Sequence, residues 1–208
     1  MKLTLIRTDK QNRQHLTTKT LERFAERVKT DTKQQLITEL RREIPFMSNG
    51  QSAFPKLEQL PRVYPAAEWR IDERGDLEMV AWNGVVLLSI GRLADAAQTD
   101  SVKRAVAGLP STLLAVVGAS GRSVKILVAV EAADGQAPAD EEAANTLYRA
   151  AHAYAVRVYS GVTGREVTVR RPSVRDSFRM THGLPSYVSS RPLRPQSLAK
   201  LQNCCRMP

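Results

Sequence analysis

A chain of 208 residues with 42% hydrophobic content is long enough for one sizeable core plus an appendage and is short for two independent domains. The formal net charge is +10, of which the segment Arg165 to Pro208 carries +7 (nine Lys or Arg against Glu166 and Asp176), so polyanions, nucleic acid foremost, are the expected partners, although basic segments also serve as partner-binding tails. The adjacent pair Cys204 and Cys205 excludes a disulfide framework and a spaced zinc site, and neither a run of roughly 18 apolar residues nor a signal-peptide core is present, so a cytoplasmic protein with no membrane partner is expected.

In chain order, Lys2 to Ile6 reads as a short strand, with Thr17 and Thr18 as helix-start candidates after a polar stretch. Leu21, Phe24, Ala25 and Val28 fall at helical spacing, and Leu36, Ile37, Leu40 and Ile44 repeat it after Asp31, a candidate N-cap. Four prolines between Pro45 and Pro65 make that stretch irregular. Glu68 to Ile71 and Leu77 to Ala81 flank the turn Asp72-Glu73-Arg74-Gly75-Asp76, and Asn83-Gly84 introduces the apolar run Val85 to Ile90, so successive antiparallel strands are expected. Asp100 can cap a helix carrying Val102, Ala105, Val106 and Leu109, ended by Gly108 and Pro110 before the strand Leu113 to Val117. A tight turn, Gly118-Ala119-Ser120-Gly121, leads into Val124 to Val130. Asp140-Glu141-Glu142 then opens a long helix with Ala144, Leu147, Ala151, Tyr154 and Val158 inward and Gly161 as its stop.

From Val85 the order is β-α-β-β-α, with Val167 to Val169 or Ser177 to Thr181 as a final strand. The expected fold is therefore α+β: a ferredoxin/RRM-like core in the order β-α-β-β-α-β, carrying an N-terminal helical and hairpin extension. The boundaries expected are 1–64 for the helical extension and irregular lead-in, 65–190 for the core, and 191–208 for an extended or disordered basic tail.

Two groups of residues could bind phosphate. Ser120, Gly121, Arg122 and Lys125 combine small residues, backbone N–H groups, a hydroxyl and two cations at one turn; the same residues equally suit an ordinary hairpin turn. Arg170, Arg171, Arg175, Arg179 and His182 lie within thirteen residues, and in an extended strand Arg171, Arg175 and Arg179 would share a face; a solvated basic sheet edge is the alternative. Only Phe178 and Tyr187 accompany this run, so a base-stacking platform is not indicated. His15, His152 and His182 are far apart and read as core or surface histidines rather than metal ligands. Ser120, His152 and Asp176 lack the nucleophile elbow that a hydrolase triad needs.

The succession Asn83 to Leu93, then Ala119-Ser120-Gly121-Arg122-Ser123-Val124-Lys125-Ile126, then Arg175-Asp176-Ser177-Phe178-Arg179 resembles the VirE-like N-terminal domain of mobile-element proteins, placed in the archaeo-eukaryotic primase superfamily. The lead-in Lys56 to Pro65 is loosely similar as well, and the resemblance spans roughly Phe24 to Pro195. It implies a primase-type core. It also implies that Ser89 and Gly91 stand where the family has a metal-binding aspartate pair, that Gly118 replaces the first turn serine and Ser123 the second turn glycine, and that Asp176 is a surviving carboxylate. A serine and a glycine cannot hold the divalent cations of nucleotidyl transfer.

The expectation is thus a pseudoenzyme: a primase-like domain binding nucleic acid, single-stranded or duplex DNA, or nucleotide phosphates in mobile-element DNA replication or mobilisation. Ser120, Gly121, Arg122, Lys125, Arg171, Arg175, Arg179 and His182 would make the phosphate contacts, with no cofactor. One alternative is an active nucleotidyltransferase with magnesium or manganese at an altered site using Asp95 or Asp100 with Asp176. The other is an interaction module for a helicase-like partner or fused region.

Overall fold

A computed structural model of the chain describes residues 1–9, 11, 13–30, 34–44, 57–132, 134–168, 171–183 and 186–187. The candidate cap Asp31, most of the Pro45 to Pro65 stretch, Arg170, and the tail with Cys204 and Cys205 lie outside them. Ten strands and four α-helices of more than one turn are described, all strand pairs being antiparallel, so the fold is α+β.

The central sheet has the order β10-β7-β8-β6, formed by β6 (Val85–Ile90), β7 (Thr112–Val117), β8 (Val124–Ala129) and β10 (Ser186–Tyr187). Both β6 and β7 run antiparallel to β8, which lies between them, so they are parallel to each other. The helix α3 (Ala96–Ala107) connects them and lies against β7, while α4 (Glu141–Thr163) lies against β6. The expected order β-α-β-β-α from Val85 is therefore present.

The strand that completes it differs from expectation. Val167 makes only an isolated bridge to Ile90, with Thr168 N–H donating to the Ser89 carbonyl at 2.7 Å. Phe178–Arg179, β9, pairs with a different sheet, and β10 extends the far edge at β7. The rest of the outer edge of β6 is closed by a side chain, since Tyr148 Oη accepts from Leu87 N–H at 3.1 Å. An unpaired edge amide would otherwise be left buried, at a cost of about 1–3 kcal/mol.

Helix ends also moved. Asp95, not Asp100, caps α3, accepting from Gln98 N–H at 2.7 Å, and Asp100 lies one turn inside. Asp140 caps α4 as its position suggests, but the helix runs through Gly161 to Gly164, whose φ of 60° is the left-handed conformation that ends helices cheaply only at glycine. Its buried face is Ala144, Tyr148, Ala151, His152, Ala155 and Tyr159, rotated from the expected set, because Leu147, Tyr154 and Val158 are only partly covered.

The second sheet, β2-β1-β3-β9, is built by β1 (Lys2–Thr8), β2 (Gln14–Thr20), β3 (Arg62–Tyr64) and β9. Thr17 and Thr18, expected to begin a helix, are in β2; α1 (Leu21–Thr30) starts directly after it, with Thr20 Oγ1 accepting from Arg23 N–H. The hairpin of β4 (Ala67–Ile71) and β5 (Leu77–Trp82) forms at the expected turn.

The central sheet is covered on both sides. Val86, Leu88, Ile90, Ile126 and Val128 face α3, α4 and Trp69 in one cluster. Val85, Leu87, Leu127 and Val116 face Leu3 and Leu5 of β1, Phe24 and Val28 of α1, and Phe178 in another. The continuous apolar run Val85 to Leu88 follows from this, since a strand buried on both faces need not alternate. The N-terminal segment is thus a layer of the core. A third, smaller cluster joins α2 (Gln34–Glu43), through Ile37 and Leu40, to Leu60 and Ala119.

Candidate functional site

Because β6 and β7 are parallel, their carboxyl ends lie at the same edge of the sheet, and in α/β proteins the crevice there is where ligands bind. A cavity of about 430 Å³ opens at that edge. Ala94, Asp95 and Ala96 come from the end of β6 and the start of α3, Val117, Ser120, Gly121 and Arg122 from the end of β7, Arg41 from α2, and His182 and Gly183 from the chain after β9.

The turn is fixed to the helix start by backbone. Gly121, at φ 75°, turns the chain so that its N–H donates to Gly118 and its carbonyl accepts from Thr99 Oγ1 at 3.1 Å, while Leu93 N–H donates to the Arg122 carbonyl. Arg92, just before Leu93, is the one non-glycine residue with positive φ among the described residues, at 57°. That conformation costs an L-residue about 1–2 kcal/mol and tends to collect at functional sites.

The charges at the rim are mixed. Arg122 donates to the Ala94 carbonyl at 3.2 Å, and Lys103 pairs with Asp100 at 3.1 Å. Arg41 is partly buried, and one of its amino groups is shared by the Gly118 carbonyl, Thr181 Oγ1 and the His182 carbonyl at 3.3, 3.0 and 2.8 Å. Burial pulls its pKa below the usual guanidinium value, a range in which the group stays charged. Sequence reasoning missed Arg41. The available signal was its place beside Leu40 and one turn after Ile37, at the border of the apolar stripe of α2.

Of the residues singled out in the sequence, Ser120, Gly121, Arg122 and His182 for phosphate and Asp95 and Asp100 for the alternative metal site share this cavity. Lys125 does not line it. Its ammonium donates to Ser89 Oγ at 2.6 Å across the β6–β8 pairing, and burial lowers its pKa. The stem of Lys125 packs over Gly118, where an added Cβ would also collide with Ser123 Oγ, so a serine at 118 does not fit beside Ser123 as it is placed. Gly91 continues β6 beside Thr168.

The expected arginine stripe does not form, because only Phe178–Arg179 is strand and Arg175 sits in a turn. Arg175 is held by Glu141 through two hydrogen bonds of 2.5 and 2.8 Å and lies over the Trp69 ring at 5.1 Å. Arg179 donates to the Leu60 carbonyl at 3.0 Å. Both line a second cavity, of about 730 Å³, with Arg62, Tyr64, Asp9, Glu58 and Asp76, where the formal charges balance. Arg171 is exposed and lines neither cavity.

Asp176 is likewise committed elsewhere, accepting from Tyr148 Oη at 3.0 Å and Ser173 N–H at 3.1 Å. Among the described residues no group of three or more His, Cys, Asp or Glu is placed to hold a metal ion. No helix among them is long and apolar enough to cross a membrane.

No curated protein and no solved structure matches the chain. A family profile does, over residues 56–183, which is more than half of the chain and takes in β6, β7 and β8 of the central sheet, both its helices, the Gly118 to Arg122 turn and His182. The chain belongs to the family described as BT4734-like, N-terminal domain.

Proposed function

We propose that this protein is a primase-like domain, ferredoxin/RRM-type at its core, that binds the phosphates of nucleic acid or nucleotides without turning them over. Its setting would be the replication or mobilisation machinery of a mobile element, in the cytoplasm. The observation that carries the reading is the cavity beyond the carboxyl ends of β6 and β7, where Ser120, Gly121 and Arg122 meet Arg41 and His182.

Binding without chemistry is supported by where the carboxylates are. Asp95 caps α3 and Asp100 pairs with Lys103, both at the cavity, whereas Asp176 accepts from Tyr148 and does not line it, so the three are not gathered as a metal site for nucleotidyl transfer requires. Lys125 places its amino group beside Ser89 instead, near positions where the resembled family holds cations.

The test is fluorescence anisotropy of labelled single-stranded and duplex DNA over a salt series, with and without manganese. Binding should fall steeply with salt and be indifferent to manganese, and Arg122→Ala should lower the salt slope by about 1 for every sequence alike. Binding that needs the metal would restore the nucleotidyltransferase, and no binding at low salt would leave the module for a helicase-like partner.

A further inference from the structure

Three buried side-chain polar atoms have no hydrogen-bond partner among the described residues: Arg41 Nε, His182 Nδ1 and Trp69 Nε1. Two of the three belong to residues lining the same cavity, at the carboxyl ends of β6 and β7. Leaving a buried donor unmade costs about 1–3 kcal/mol, more for a charged group, and each such atom calls for an explanation. One amino group of Arg41 serves Gly118, Thr181 and His182, so the side chain is held in place with Nε–H left over. His182 is held by the same bond through its carbonyl, and Gly183 N–H donates to the Val28 carbonyl at 3.1 Å.

A cationic N–H and an imidazole nitrogen, both unpartnered and both on residues that line one cavity, suit an acceptor oxygen carrying negative charge. The imidazole donates from Nδ1 in the tautomer that such a ligand selects. Because both atoms are buried, the oxygen must reach inward from the cavity. A phosphate at the end of a molecule can do so with one connection to the outside, whereas a phosphate within a chain needs two.

We propose that the cavity is a seat for a terminal phosphate monoester, oxygens of which accept from Arg41 Nε–H and His182 Nδ1–H. The phosphate is the 5′ end of a strand or that of a free mononucleotide. This rests on the phosphate-binding reading above and narrows it from any phosphate to a terminal one.

The test compares the full chain with Arg41→Lys and His182→Phe. Inorganic phosphate, at ionic strength matched with chloride, should raise the melting temperature of the wild type and of neither variant. An oligonucleotide with a 5′-phosphate should bind at least tenfold more tightly than the same oligonucleotide with a 5′-hydroxyl. Both variants should erase that ratio while still binding the 5′-hydroxyl form. Competition by a mononucleoside monophosphate then separates the two sources: displacement of the 5′-phosphorylated strand assigns the seat to either, and its failure to the strand end alone. Equal binding of the two oligonucleotides by the wild type, with no effect of inorganic phosphate, would overturn the seat while leaving phosphate binding in general intact. If neither oligonucleotide binds at low salt, the broader reading falls, and the melting shift alone decides the seat. Should Arg41→Lys fail to fold for want of its three bonds, His182→Phe carries the test, since its carbonyl is unchanged.

Discussion

Tyr148 joins three parts of the molecule through one side chain: its hydroxyl accepts from Leu87 N–H of β6 and donates to Asp176, and its ring stacks on His152 at 6.0 Å between centroids. Tyr148→Phe should destabilise by about 1–3 kcal/mol in urea unfolding, because it orphans a buried amide and removes one of the two hydrogen bonds given to the partly buried Asp176 carboxylate. Burial is the main cause that holds the Asp176 carboxyl above its ordinary 3.8, against the hydrogen bonds from Ser173 and Tyr148 that pull it down. The folded state therefore keeps its proton to higher pH than the unfolded chain, and stability should decline as pH rises from 3.8 through the raised value. Asp176→Asn should lack that decline. His152 runs the other way, burial lowering its pKa from 6.5, so its contribution is complete above 6.5 and is lost as pH falls from there toward the folded value. A stability profile for His152→Gln with the same slope below pH 6.5 as the wild type would contradict this. None of the network was legible beforehand: Asp176 was visible as a lone carboxylate, but a tyrosine and a histidine on an alanine-rich helix give no contrast between faces.

The helices show what local sequence can and cannot decide. Asp140 before two glutamates is a start signal with no competitor, and it caps α4. For α3, two aspartates five residues apart were available. The upstream one won because Leu93 and Ala94 are pinned to the Gly118 to Arg122 turn, which fixes where the helix can begin. The two caps should behave differently. Asp140→Ala should cost about 1 kcal/mol of stability and leave phosphate affinity alone. Asp95→Ala should cost a similar amount and raise that affinity, because it removes an anion from the cavity rim. Equal affinities for both variants would separate the cavity from the binding. The expected arginine stripe failed at this scale for a plain reason: a strand assignment from residue spacing presumes continuous extension, and Ser173 to Asp176 instead form a turn closed by Asp176 N–H to the Ser173 carbonyl.

At the scale of the whole molecule, strands β6 to β8 were readable as apolar runs, their connecting helix from apolar residues at helical spacing, and the β4–β5 hairpin from the turn Asp72 to Asp76 between its strands. The strand Lys2 to Ile6 and the helix carrying Leu21, Phe24, Ala25 and Val28 were readable too, but not that they close over the sheet, nor β2, which is polar at most positions and pairs with β1. The consequence is a central sheet with no open face, in contrast to a module that binds strands across its sheet. A chain cut to the family-matched segment, 56–183, would expose Val85, Leu87, Leu127 and Val116 on that face, and should bind a hydrophobic dye and aggregate where the full chain does neither. The same layering brings Arg41, which lies outside the matched segment, to a cavity formed otherwise mostly within it. The most direct check of that cavity as the phosphate site is amide chemical-shift mapping of the full chain on addition of inorganic phosphate and then of a 5′-phosphorylated oligonucleotide. The shifts should gather at Ala94, Gly118, Gly121, Arg122 and Gly183, and shifts confined to Arg62, Arg175 and Arg179 around the second cavity would contradict this assignment.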